Sequence, residues 1–214
     1  MERTIFAAIL LFGCITIQAQ DLGTLEWQDK NLADCVKAQA SKHGWLTVQD
    51  VTELRCHTAK IKSANELNTL SALRSLSLYN NQLTQLDLSN LKQLGSLNIA
   101  NNKLSYLNIA GLAKLETLHL FRNKLKTLDL SGLSAVKKVR LMQNQLETLD
   151  ITPLISLETA YFFDNKLEDL QISGLKNLKF LDVKQNPMPD ELYDFYDQQQ
   201  GIVISHDGNA DDWK

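Results

Sequence analysis

The chain has 214 residues, the size of one ordinary domain. With 22% charged and 44% hydrophobic residues, it has the composition of a folded protein and not of a disordered one. A net charge of -3 gives no electrostatic footprint for nucleic acid or an anionic membrane. Leucine is the outlier: it occurs 39 times, against 9 Gly and 3 Pro, so one residue type repeats a single structural job.

Glu2 and Arg3 precede an apolar run from Ile5 to Ile17, followed by Gln18-Ala19-Gln20. The run is shorter than the ~20 residues a membrane-spanning helix needs. A charged start, an apolar middle and a small residue at the exit read as a secretory signal peptide over residues 1–20. Two processing routes are open. Cleavage after Ala19 would release the remainder as a soluble protein. Alternatively, Leu11-Phe12-Gly13-Cys14 resembles a bacterial lipobox, in which Cys14 would carry lipid. Phe12 and the apolar Ile15-Thr16-Ile17 favour cleavage. Either route predicts an exported protein: periplasmic, attached to the outer membrane, or secreted. No later stretch is apolar enough for a transmembrane helix.

In residues 21–50, Leu32, Cys35, Val36 and Ala40 recur at helical spacing. Asp29 or Asn31 can cap the start of this helix and Gly44 its end. Thr47-Val48-Gln49-Asp50 reads as a second helix start. Once Cys14 is removed or lipidated, Cys35 and Cys56 are the two thiols left. In an exported chain they are candidates for one disulfide; two buried free thiols are the alternative.

From residue 51 to 188 the chain repeats itself. Leu73, Leu94, Leu115, Val136, Leu157 and Leu178 are spaced by 21 residues. Leu76, Leu97, Leu118, Val139, Ala160 and Leu181 keep the same step, as do Leu78, Ile99, Leu120, Leu141, Phe162 and Val183. Asn81, Asn102, Asn123, Asn144, Asn165 and Asn186 follow without exception. Leu83, Leu104, Leu125, Leu146, Leu167 and Met188 close a pattern written LxxLxLxxNxL. An earlier unit (Val51, Leu54, Cys56, Ile61) precedes these by 22 residues, which makes about seven coils. Alternating leucines predict strands with one buried face. The second halves alternate again, as in Leu86-Asp87-Leu88, and predict a brief strand or extended turn and no full helix. Ala160 is the small member of its column, and Phe162 at the next inward position offsets its volume.

The motif resembles the leucine-rich repeat family, and the resemblance covers nearly two-thirds of the chain. The 21-residue length and the LxxLDLSxL second half are similar to a bacterial class of these repeats. The resemblance implies an α/β solenoid: a right-handed superhelix with a parallel sheet on its concave face and short extended returns. It also implies that the asparagines pair with backbone groups of adjacent coils inside the turn. Stacked coils bury a continuous core, and the ends need caps. The Leu-x-x-Cys-Val helix is similar to the helical caps of internalin-like proteins. A Cys35–Cys56 bridge would fasten that cap to the first coil, at ~3 kcal/mol of chain entropy.

Residues 189–214 read as a C-terminal cap and tail. Asn186-Pro187-Met188-Pro189 breaks the repeat. Asp190 to Gln200 has helical composition with Leu192, Phe195 and Tyr196 as its apolar edge, and Ile202 to Ser205 reads as a final strand. Asp207-Gly208-Asn209-Ala210-Asp211 offers oxygens at alternate positions but lacks the turn Gly and closing Glu of a calcium loop, so it reads as a solvated tail.

His43, His57, His119 and His206 share no metal or catalytic spacing, and no HExxH, CxxC pair, GxSxG or phosphate loop occurs. The chain reads as a binding protein without cofactors and not as an enzyme. The residues beside the strand leucines point away from the core. One outward column is Ser75, Ser96, Thr117, Lys138, Thr159, Phe180. The second is Ser77, Asn98, His119, Arg140, Tyr161, Asp182, and the third Tyr79, Ala100, Phe121, Met142, Phe163, Lys184. Contiguous aromatics with Arg mark interaction surfaces. The expected site is therefore Tyr79, His119, Phe121, Arg140, Met142, Tyr161 and Phe163, with Arg122 at its border. The expected ligand is another protein, bound by a monomer. Two alternatives stay open: a glycan or peptidoglycan binder that stacks sugars on Phe121, Tyr161 and Phe163, and a structural envelope protein with its contacts elsewhere.

Overall fold

The computed structural model describes residues 20–208. The signal-peptide reading, lipidation at Cys14 and the tail oxygens of Asn209 and Asp211 fall outside the described residues.

The described residues hold ten strands of three residues each: β1 (Glu53–Arg55), β2 (Ser75–Ser77), β3 (Gln85–Asp87), β4 (Ser96–Asn98), β5 (Tyr106–Asn108), β6 (Thr117–His119), β7 (Lys138–Arg140), β8 (Thr159–Tyr161), β9 (Phe180–Asp182) and β10 (Val203–Ser205). Eight of them form one parallel sheet in the order β1-β2-β4-β6-β7-β8-β9-β10. Its register carries Leu54 to Leu76, Leu97, Leu118, Val139, Ala160 and Leu181 in line. The 21-residue step of the sequence is thus the rung spacing of a solenoid. β3 and β5 pair separately in the return segments. The later returns stay extended without strand pairing, and the first holds a 3-10 turn at Asn65–Thr69.

The strands are short because each coil has one job per residue. The central residue of every repeat strand is buried, while its neighbours remain half-exposed. Leucines from the strand and the return meet in one continuous core. Ala160 and Phe162 are both fully buried, so the larger ring sits one inward position after the missing Leu.

Immediately after each strand the chain must turn sharply. Asn80, Asn101, Arg122, Gln143, Asp164 and Gln185 all take left-handed φ values of 56–59°. The next residue is the repeated Asn. Asn123 shows its work: Nδ2 donates to the Ile99 carbonyl of the preceding coil (3.0 Å) and to Leu120 (2.9 Å), and Oδ1 accepts from Leu104 N–H (3.0 Å). Asn81, Asn102, Asn144, Asn165 and Asn186 each donate to a carbonyl of their own coil and to one of the coil before. Buried backbone groups that the tight turn leaves without partners are thereby satisfied.

The N-terminal cap is helix α1 (Lys30–His43), which ends on Gly44 at φ 72°. One carboxylate joins it to the first coil. Asp29 Oδ1 accepts from Asn31 and Leu32 N–H at the helix start, and Oδ2 accepts from Lys62 (2.6 Å) and Ser63 (3.2 Å). Partial burial alone would raise its pKa, but these four backbone donors bring it below the usual value. Cys35 is disulfide-bonded to Cys56. Gln39 completes the seal: its side chain donates to the Arg55 carbonyl (2.9 Å) and accepts from the Arg55 N–H (3.3 Å). The amide mimics a neighbouring strand and covers the open edge of β1. At Thr47–Asp50 a capping box forms, but only a 3-10 turn (Val48–Asp50) follows it.

The C-terminal cap differs from expectation in its inward face. Helix α2 spans Asp190–Asp197 and stops short of Gln200. Tyr193 and Tyr196 are buried, whereas Phe195 is 39% exposed. The tyrosines win these places because their hydroxyls reach coil carbonyls: Tyr193 donates to Asn186 (3.2 Å) and Tyr196 to Leu170 (2.9 Å). Buried His206 stacks on Tyr193, with ring centroids 4.8 Å apart. Asp207 is not merely solvated tail, since its carboxylate accepts the Gln185 N–H, where a further coil would have offered a carbonyl.

Candidate functional site

The free face of the main sheet presents three side-chain columns. Rungs lie ~4.8 Å apart, so side chains in one column touch or nearly touch. Phe121, Met142 and Phe163 occupy successive rungs of the third column and are half-buried. Tyr79 joins them across Ala100, which is fully buried; the rings of Tyr79 and Phe121 lie 6.4 Å apart, tilted by 49°. His57 stands edge-on to Tyr79 at 6.0 Å and bonds Ser77 Oγ through Nε2 (2.7 Å). The result is one apolar ridge.

A second apolar strip crosses the other columns near the C-terminal end. The rings of Tyr161 and Phe180 are 5.1 Å apart. Phe180 is in register with Val203 of β10, which is 64% exposed. Phe180 and Val203 were not among the expected site residues. Phe180 lay in a column otherwise hydroxylic or cationic, and Val203 lies outside the 21-residue period.

Between the two strips lies a cationic island. Arg140 sits over the Tyr161 ring, 5.4 Å from its centroid. Lys138 is two residues away on the same strand and face, and His119 is the register partner of Arg140. Burial, then the charges of Arg140 and Lys138, lower the pKa of His119 from 6.5 to about 4, so the imidazole is neutral at pH 7. Its Nε2 and the Arg140 Nε are buried atoms without a hydrogen-bond partner. Asp182 lies one rung beyond Tyr161. Its pKa is raised, chiefly by burial and further by Asp207, against the lowering effect of the Lys184 N–H and charge.

Seven of the eight expected site residues share this face. Arg122 does not: it takes the left-handed turn position, is exposed, and donates from Nε to Gln143 Oε1 (2.8 Å) of the next coil. Its side chain is spent on a turn-to-turn contact.

A Leucine Rich Repeat family model matches residues 72–94, one full unit of the ladder just described. The chain has the fold of a leucine-rich repeat solenoid. Among solved structures, internalin InlF of Listeria monocytogenes matches with a TM-score of 0.55 at 19% identity, over 90% of this chain and 67% of that one. Internalin C2 of the same organism matches with a TM-score of 0.57 at 22% identity, over 84% and 93%. TLR13, solved as a complex with ssRNA13, matches with a TM-score of 0.53 at 27% identity, over 64% of this chain and 22% of that one. The likeness to the internalins is one of fold. No curated protein matches the chain.

In the leucine-rich repeat solenoid the free sheet face is the concave one. A groove of about 570 Å³ lies away from it, in the cap, lined by Leu25, Trp27, Lys37, Trp45 and Leu46 among others. No group of three or more His, Cys, Asp or Glu among the described residues could hold a metal ion. No helix among them is long and apolar enough to cross a membrane.

Proposed function

We propose that this leucine-rich repeat protein is an exported interaction module that grips another protein through its concave face. The observation that carries this reading is the two-strip surface around Arg140. Tyr79, Phe121, Met142, Tyr161, Phe163 and Phe180 all remain half-exposed among the described residues. Aromatic and Arg side chains are the usual anchors of protein interfaces. Stacked coils hold them in place, so binding carries little ordering cost. The Cys35–Cys56 bridge supports an oxidising compartment outside the cytoplasm.

Capture from an envelope extract tests this. Wild-type protein retains a partner; a variant with Phe121, Tyr161 and Phe163 replaced by Ser keeps its circular dichroism spectrum and loses it. Equal capture by both would refute the concave assignment.

A further inference from the structure

The charged residues of the concave face divide into satisfied and unsatisfied groups. Glu53 and Arg55 pair with each other on β1. Asp182 accepts the Lys184 N–H. Lys137 and Lys179, at the rims of the strands, pair with Glu116 (2.8 Å) and Glu158 (3.0 Å). Lys138 and Arg140 form no ion pair among the described residues. A buried guanidinium N–H without an acceptor is expensive, and native proteins rarely leave one idle.

The geometry points to a subsite at Lys138, Arg140 and His119 for a single carboxylate: we propose that it takes an Asp or Glu side chain of the partner, seated between the two apolar strips. This rests on the concave-face reading above. The guanidinium is the group best shaped for a carboxylate, and here it sits over the Tyr161 ring. His119, the register partner of Arg140 on the adjacent rung, has an Nε2 without a hydrogen-bond partner, which a small rotation of the half-exposed ring would offer to the same carboxylate. Lys138 adds a positive charge from the same strand. Phe121 and Met142 flank the subsite on one side and Tyr161 on the other, and a partner seated over them would exclude water, which strengthens each charged hydrogen bond. Charge on the partner would therefore set register and selectivity, while the rings supply contact area.

Selection from a random peptide library tests the subsite. Three full-length proteins are compared: wild type, the charge variant Lys138→Gln with Arg140→Gln, and the Phe121/Tyr161/Phe163→Ser variant. Peptides selected on wild type should share an Asp or Glu beside an apolar residue. Their affinity should drop about tenfold or more on the charge variant, and equally when that acidic residue becomes Gln or Asn. The two losses should not add, because each removes the same pair. Peptides that depend on the rings but are indifferent to Lys138 and Arg140 would overturn the subsite and leave the concave reading standing. If no selected peptide depends on the rings, both fall. An oligogalacturonate that binds in an Arg140-dependent way, where peptides do not, would overturn the choice of a protein carboxylate.

Discussion

The rings of Tyr79 and Phe121 approach to 6.4 Å although a whole rung separates them. Two rungs span ~9.6 Å, so the side chains must lean together. They can do so because the intervening rung carries Ala100, whose methyl lies fully buried beneath them. Ala100→Phe should therefore split the ridge. Overpacking should cost about 1–3 kcal/mol, read from urea unfolding, with weaker partner capture. Unchanged capture would mean that the Tyr79 end of the ridge is not used.

The asparagine ladder predicts a large effect from a small change. Asn123→Ala would leave the Leu104 N–H without its acceptor and remove one of the two side-chain donors from each of the Ile99 and Leu120 carbonyls, which keep Asn102 and Asn144. The expected loss is about 3 kcal/mol, several times that of a surface Asn, measured by chemical denaturation.

Two glycines with similar backbones should behave differently. A Cβ on Gly132 would lie 2.9 Å from the Gly111 Cα of the preceding coil, whereas one on Gly174 meets nothing within 4 Å. Both have positive φ, of 74° and 87°. Gly174→Ala should cost about 1–2 kcal/mol for the left-handed backbone alone. Gly132→Ala adds a backbone clash and should cost clearly more. Equal melting temperatures would contradict the close coil contact.

The cap disulfide spans 21 residues. Replacing Cys35 and Cys56 together by Ala should cost about 3 kcal/mol. Hydrogen exchange should rise first in α1 and β1, because only non-covalent contacts such as those of Asp29, Asn31 and Gln39 then hold the cap.

His119 gives a pH dependence whose sign is fixed. Its folded pKa, about 4, lies below the ordinary 6.5. Between those values the unfolded chain holds a proton that the folded one does not, so stability falls as pH drops from 6.5 towards 4 and the penalty is complete below that. The ring is half-exposed, and with solvent screening the effect should be about 1–2 kcal/mol. His119→Gln should flatten that part of the stability–pH curve; an unaltered slope would show that another group is responsible.

The repeat was legible because a solenoid writes its geometry as a period: the buried column from Leu76 to Leu181 is the strand register itself. The outward columns followed by parity. What escaped was either outside the period or a matter of side-chain partners that the period does not encode. Val203 aligns with Phe180 at a step of 23 residues and so carried no repeat signal. Arg122 looked like a border anchor, but the left-handed turn points it at Gln143. In α2, composition alone could not show that Tyr193 and not Phe195 would face the coils; the Asn186 carbonyl decided that. The unpaired state of Arg140 required knowing which carboxylates the neighbouring rungs use up.

Site-specific photocrosslinking in the native envelope tests the central claim most directly. Benzoylphenylalanine replaces Phe163 on the concave face in one protein and Ile155, 59% exposed in a return segment, in another. Irradiation should yield a discrete adduct with a partner protein from position 163 and none from 155. An adduct from 155 with none from 163 would place the working surface elsewhere and contradict the concave grip.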